Sequence, residues 1–408
     1  MKKLLLILLC LPFIGFGQGW EVNLGNPVGE DEGRCVKQTI DGGYIVAGGT
    51  WSSLDNYPAT RLIKTDDLGN VIWDKEFDGD NGSDVLQTFD GGYIIACESD
   101  TNAIIRTDNL GNLLWSKSYI SDYGFIAIQQ TSDSGFILVG DTFNILSYSN
   151  ILLLKLDADG NEQWLKVFGD STDENALDIE LTNDNGFLVT ATKGFGNLWY
   201  IKLDGNGDTL WTTTFSNIYT VDSELPTSKT SDNGFITTAC SYDGEDLILL
   251  KIDSVGNQHW FKTIDKYESE ESGCSVSLTL DGGFIISGFT HSDSLNLGGA
   301  WVVKTDFFGF VEWDIVISGI HEVAVGYSIE QTNDGGYIMS GTTKSSETYL
   351  CKIDVNGNLT STFNIPINPN RKIKKIVDIL GKQTKPKTNT PFIEIYDDGT
   401  LEKKIIIE

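Results

Sequence analysis

Basic charge is the first thing this 408-residue chain has little of: 29 lysines and arginines stand against 58 aspartates and glutamates, a formal net charge of −29. The deficit is uneven. Residues 18–370 hold 18 basic and 52 acidic residues, whereas residues 371–408 hold nine and six. Neutralising phosphate takes lysine and arginine, so a body this acidic excludes nucleic acid and anionic membrane as partners. Histidine occurs three times, as His259, His291 and His321, in different parts of the chain and without ligand spacing. Of six cysteines, Cys10 lies near the start. The other five, Cys35, Cys97, Cys240, Cys274 and Cys351, form neither a CxxC pair nor an even set, which excludes a disulfide framework. No segment beyond the first 17 residues approaches the roughly 20 apolar residues of a transmembrane helix, and none in the body shows a 3.6-residue apolar period. A nucleophile elbow and a phosphate loop are missing too, so the expectation leans away from an enzyme.

What is present begins with a leader. Lys2 and Lys3 precede an apolar stretch from Leu4 to Ile14 and a small-residue exit, Gly15-Phe16-Gly17. That order marks residues 1–17 as a secretory signal peptide, and the mature protein is expected to be secreted or attached at the outer-membrane surface.

A repeat then fills most of the chain. Asp-(Gly/Asn/Ser)-Gly-(Tyr/Phe) occurs seven times, with its second glycine at Gly43, Gly92, Gly135, Gly186, Gly234, Gly283 and Gly336. Each is followed by a Lys-x-Asp (Arg106 replaces the lysine once), a turn of the form Asp-x-x-Gly-Asn, and in six units a tryptophan: Trp73, Trp115, Trp164, Trp211, Trp260 and Trp313. The spacing of 43 to 53 residues is that of propeller blades or solenoid units. Each unit divides into four β-branched, aromatic-rich runs bounded by Asp, Asn and Gly. In the second unit these are 85–88, 93–97, 103–107 and 113–117. The Asp-Gly-Gly turn requires a residue at positive φ, which glycine supplies. In the second turn the opening Asp is placed to bond backbone N–H groups, with the Gly left-handed. One tryptophan per unit is expected to plug the space between neighbouring sheets.

The seventh unit lacks its tryptophan, having Leu359-Thr360-Ser361 after Gly357-Asn358, while Trp20 precedes the first unit without a Lys-x-Asp of its own. A strand at 20–24 therefore completes the last unit. A linear array has no reason to share a unit between its two ends, and a ring does. The sequence predicts an all-β fold: a seven-bladed β-propeller of four-stranded blades over residues 18–362, its last blade closed by the N-terminal strand. A linker at 363–370 and a small β module at 371–408 follow.

This arrangement puts both short turns on one face and the variable connections on the other: 51–60, 143–150 and 291–300 within blades, 78–84, 169–174 and 265–272 between them. Variable loops on a rigid scaffold are where binding is expected. Asp78, Asp80 and Asp84 offer oxygens at alternating positions, a weak calcium candidate; no other cofactor and no catalytic residue is expected.

The Asp-turn-Trp unit resembles the Asp box of sialidase propellers and the tryptophan motif of quinoprotein propellers. A sialidase needs an arginine cluster for the substrate carboxylate, and only Arg34, Arg61, Arg106 and Arg371 exist here. The eight blades and adjacent cysteines usual in quinoprotein dehydrogenases are missing as well. The tail, with Val377-Asp378-Ile379-Leu380-Gly381-Lys382 and Tyr396-Asp397-Asp398-Gly399-Thr400-Leu401-Glu402-Lys403-Lys404-Ile405, resembles the C-terminal sorting domain of type IX secretion substrates. The body is similar to Asp-Gly-Gly-Tyr repeat proteins of Bacteroidota, the bacteria that use that system. The resemblance implies that the type IX secretion machinery is a partner, and that the tail is removed when the protein is released or attached. The expectation is a non-catalytic monomer that binds a glycan or a protein through its acidic loop face; a secreted polysaccharide hydrolase or lyase is the alternative.

Overall fold

The computed structural model describes residues 19–25, 30–51, 58–98, 103–118, 123–142, 148–170, 172–194, 196–216, 218–219, 227–241, 244, 246–266, 270–292, 297–317 and 323–359, and in the tail 372–378, 382, 384–386, 392–396 and 401–404. Residues 1–17, expected to be a signal peptide, and the loop segments 52–57, 143–147, 267–269 and 293–296 lie outside these residues. Two compact units emerge, Met1–Thr360 and Ser361–Glu408.

The first unit is a seven-bladed β-propeller. Blade 1 is the antiparallel series Glu30–Gln38, Tyr44–Trp51, Pro58–Thr65 and Val71–Asp78, and five more blades follow in chain order. In the seventh, Val323–Gln331, Tyr337–Thr343 and Thr348–Ile353 are completed by Trp20–Asn23, which pairs Trp20 with Lys352 and Asn23 with Tyr349. Blade 5 departs from the four-strand expectation. Its first strand is split into Ile218–Tyr219 and Thr227–Lys229, both paired with Phe235–Ser241. The second unit contains a three-stranded antiparallel sheet of Ile373–Asp378, Phe392–Tyr396 and Leu401–Lys404.

Among the described residues the propeller core divides into seven apolar clusters, one at each seam between adjacent blades. The seam from blade 7 to blade 1 holds Trp20, Leu24, Val36, Tyr44, Ile338 and Leu350. Because each sheet packs against a neighbour on both faces, its middle strands are buried along most of their length, as in the fully buried and apolar Tyr93–Cys97. The outermost strands alternate between exposed and half-buried.

Every repeated residue has a scaffold role. Each tryptophan lies on the turn glycine of the next blade, so that a Cβ on Gly69, Gly111, Gly160, Gly207, Gly256, Gly309 or Gly357 would fall 2.5–3.0 Å from the ring. Trp20 lies on Gly69, as ring closure requires. Lys64, Arg106, Lys155, Lys202, Lys251, Lys304 and Lys352 are buried. They pair at 2.6–3.1 Å with Asp41, Asp90, Asp133, Asp184, Asp232, Asp281 and Asp334 of their own blades.

The Asp-Gly-Gly turn divides its requirements differently from the sequence expectation. Positive φ falls on the middle residue, at 60–87° for Gly42, Gly91, Ser134, Asn185, Asn233, Gly282 and Gly335, where asparagine and serine also serve. The second glycine is required by proximity: a Cβ there would fall 2.1–2.5 Å from a third-strand carbonyl and against the buried cation. Gly282→Asn is therefore expected to stay within about 1 kcal/mol of wild type in urea denaturation, and Gly283→Ala to lose about 2 kcal/mol or more.

Candidate functional site

The first strand of every blade faces the axis, which leaves its outer backbone edge without a strand partner. Side-chain oxygens from the preceding blade fill that place. Asp84 Oδ2 accepts from Ile128 N at 3.0 Å, Asp178 Oδ2 from Thr227 N at 2.5 Å, Ser275 Oγ from Ile329 N at 3.2 Å and Ser328 Oγ from Val36 N at 3.3 Å. Four glutamines form a second tier nearer the turn face. Gln87, Gln130 and Gln331 accept from Ile40, Phe89 and Leu280 N, and Gln38 accepts from Asn333 N at 2.8 Å, joining blades 7 and 1. None of these latches stood out in the sequence. The only signal of the first tier is an aspartate or serine eight positions before the second turn glycine, in a strand that carries other polar residues as well.

Between the latches is an axial cavity of about 140 Å³, lined among others by Arg34, Lys37, Asp84, Asp178, Glu180 and Cys274. Burial raises the Asp178 and Glu180 carboxyls, and each is raised further by a neighbouring carboxylate. Burial opposes the charge on Lys37, yet the carboxylates Glu330, Asp84 and Asp178 around it hold its ammonium on the protonated side. Lys37 keeps 42% of its side-chain surface accessible and lines the cavity, with Glu330 at 4.0 Å. Burial also pushes the Cys274 thiol up to about 12, which makes it a poor nucleophile. At the loop end Arg34 bonds Glu32 at 2.7 Å and lies 5.0 Å from the Tyr327 ring of blade 7.

Asp141, on the second strand of blade 3, accepts from Ala176 N of blade 4 at 2.6 Å. Burial lifts its carboxyl to about 7, against the pull of that bond. Because the folded value exceeds the ordinary 3.9, its contribution to stability is complete below pH 4 and is lost as pH rises through 7. Asp141→Asn, which keeps an acceptor, is expected to match wild type at pH 4 and to exceed it by about 2 kcal/mol at pH 8, read from denaturation at both pH values.

The expected calcium residues are not gathered. Asp84 turns inward to Cys35 Sγ, Val85 N and Ile128 N; Asp80 bonds Asn81 N; Asp78 is exposed at a strand end. Among the described residues, the one acidic group with ligand atoms within 4.8 Å of one another is Asp246, Asp265 and Glu271, from blades 5 and 6. His259 is exposed on an outer strand, His291 is exposed at a strand end, and His321 lies outside the described residues. Of the ten tryptophans, all described, only Trp51 is exposed, at 49%; it ends the second strand of blade 1 on the loop face, across from Glu30 and Pro58.

No family model and no curated protein sequence matches the chain. Solved structures do. The Dos1 propeller aligns with a TM-score of 0.54 at 12% identity, over 85% of this chain and 97% of that one. BBS1N, in a complex with ARL6DN, aligns with a TM-score of 0.52 at 10% identity, over 84% and 97%. A protein of unknown function from Bacteroides caccae gives 0.46 at 11% identity, over 65% and 90%. At these identities the likeness is one of fold.

Proposed function

We propose that the protein is a secreted or outer-membrane-surface propeller, non-catalytic and monomeric, that binds a glycan through its acidic loop face. The observation that carries this reading is Trp51. The seven repeat tryptophans are spent on neighbouring turns and Trp199 and Trp301 are buried, which leaves one indole presented to solvent beside the variable loops. An exposed indole stacks on the C–H face of a sugar ring, and surrounding carboxylates accept from its hydroxyls. A glycan array with residues 18–360 tests the reading, run with and without calcium because Asp246, Asp265 and Glu271 converge on the same face. Trp51→Ala is expected to lose about 10-fold or more in affinity for whatever glycan binds. An array on which nothing binds, or a variant that binds like wild type, contradicts it. Release of reducing ends from a bound polysaccharide would favour the hydrolase or lyase reading instead.

Export through type IX secretion is part of the same proposal. It rests on the two tail motifs and on a C-terminal β sheet separate from the propeller unit. In a Bacteroidota host, a chain ending at residue 370 is expected to remain in the periplasm; its appearance outside the cell would refute the role of the tail.

A further inference from the structure

At each seam the repeat brings three positions together on the turn face: one residue from the Asp-Gly-Gly turn, one from the start of the fourth strand and one from the second turn of the next blade. At the seam of blades 1 and 2 these are Ile40, Ile72 and Leu110, with exposures of 86%, 57% and 60%. They border a groove of about 370 Å³ that Trp73 and Tyr93 also line. Every other seam has at least one polar residue in the set. The seam of blades 3 and 4 has Ser132, Gln163 and Asn206; that of blades 6 and 7 has Leu280, Glu312 and Asn356. The geometry repeats seven times and the fully apolar rim occurs once, so the scaffold does not require it. Three large aliphatic side chains left in water beside one groove mark an interaction surface.

The charge around the groove indicates what covers it. Asp41 and Asp90 are exposed, Lys64 and Arg106 are buried in pairs with them, and Lys75 is half-buried on the fourth strand beside Gly111, where its charge acts on Asp108. Thr39, Lys64 and Gly43 N outweigh burial and keep the Asp41 carboxyl below its usual range, and Thr88, Gly92 N and Arg106 do the same for Asp90, so both stay ionised. We propose that the turn-face groove between blades 1 and 2 docks a peptide segment of a partner protein that presents aliphatic side chains beside lysine or arginine. The aliphatic groups fill the space between Ile40, Ile72 and Leu110, and the cations meet the carboxylates at the rim. This surface is on the opposite face from Trp51 and does not depend on the glycan reading.

The test uses the chain from residue 18 and a synthetic decapeptide of alternating leucine and lysine, with a leucine–glutamate decapeptide for comparison. Ile40→Ser, Ile72→Gln and Leu110→Asn together give this seam the residues of the blade 3–4 seam, which the fold already accommodates at those positions. By calorimetric titration, the triple variant is expected to bind the leucine–lysine peptide about 10-fold or more weakly than wild type. Leu280→Ser, at the blade 6–7 seam, is expected to leave binding unchanged, and the leucine–glutamate peptide to bind at least about 10-fold more weakly. Equal binding by the triple variant, equal binding of the two peptides, an equal loss with Leu280→Ser, or no binding by wild type overturns the proposal. So does binding of phosphatidylcholine vesicles in place of the peptide.

Discussion

Replacing Trp20 with alanine is expected to destabilise the whole propeller by about 3–5 kcal/mol, the cost of removing a large buried aromatic side chain. Trp20 is 6% exposed, lies over Gly69, sits 5.8 Å from the Tyr44 ring and donates from Nε1 to Asp67 O at 3.2 Å. Every one of those contacts reaches from the N-terminal strand in blade 7 to blade 1. The same strand is held to blade 7 by its ladder, by Leu24 N to Thr348 O at 2.8 Å and by Tyr349 Oη to Glu21 at 2.6 Å. Deleting residues 19–25 removes all of this and bares the Thr348–Ile353 edge, so a larger loss is expected than from the point change. Trp73→Ala opens a seam whose two blades remain joined by the chain, and is expected to cost less than the deletion. Calorimetry on the three proteins checks the order. A deletion that melts within about 2 °C of wild type would show that the ring is not closed in this way.

Asp232→Ala is expected to cost about 3–5 kcal/mol, far more than Lys251→Met, although both remove the same ion pair. Lys251 has no accessible side-chain surface, and its ammonium meets Asp232 at 2.7 and 2.9 Å, whereas the Asp232 side chain is 38% exposed. Removing the aspartate strands a charge away from water. Removing the lysine leaves a carboxylate that water still reaches, and methionine fills the space. Urea denaturation of the two variants checks the asymmetry, and a more damaging Lys251→Met would refute it. The seven pairs also set an acid limit. Burial would raise Asp133, Asp184 and Asp232, but bonds from the turn threonine, the cation and the glycine N–H outweigh it and hold each carboxyl at about 2. Their contribution is therefore present above the ordinary value of about 3.9 and is lost as pH falls from there toward 2. Melting temperature is expected to fall steeply below pH 4.

The repeat made the fold legible because each blade restates the others. Seven Asp-x-Gly turns and six tryptophans gave the blade count, and the misplaced seventh tryptophan gave the closing strand. The contacts those residues make were less legible. That Asp41 meets Lys64, 23 positions later, or that Gly43 lies under a third-strand carbonyl, depends on strand register, which the period does not fix. The latches at Asp84, Asp178, Ser275 and Ser328 were hidden because serine and aspartate substitute for one another there, so no motif forms. Blade 5 was read as four-stranded because the repeat has no counterpart for the segment around 218–226. The loop face was located for the reason that its ligand cannot be read: residues that do not repeat stand out, but nothing within the chain interprets them. Trp51 is informative only because solvent exposure separates it from nine other tryptophans.

The pairing of the first strand with the last blade also sets an order of assembly. Six seams join segments close in sequence, and each core cluster can form as soon as two neighbouring blades exist. Glu21 and Tyr349, by contrast, meet across 328 positions. The strand made first finds its partner last, and bringing its ends together is the most entropically demanding contact in the molecule. Until residues near 350 arrive, the two terminal blades keep an unpaired edge and an uncovered apolar face. The chain thus stays an open, adaptable strip for most of its synthesis and becomes a rigid ring in one concluding step.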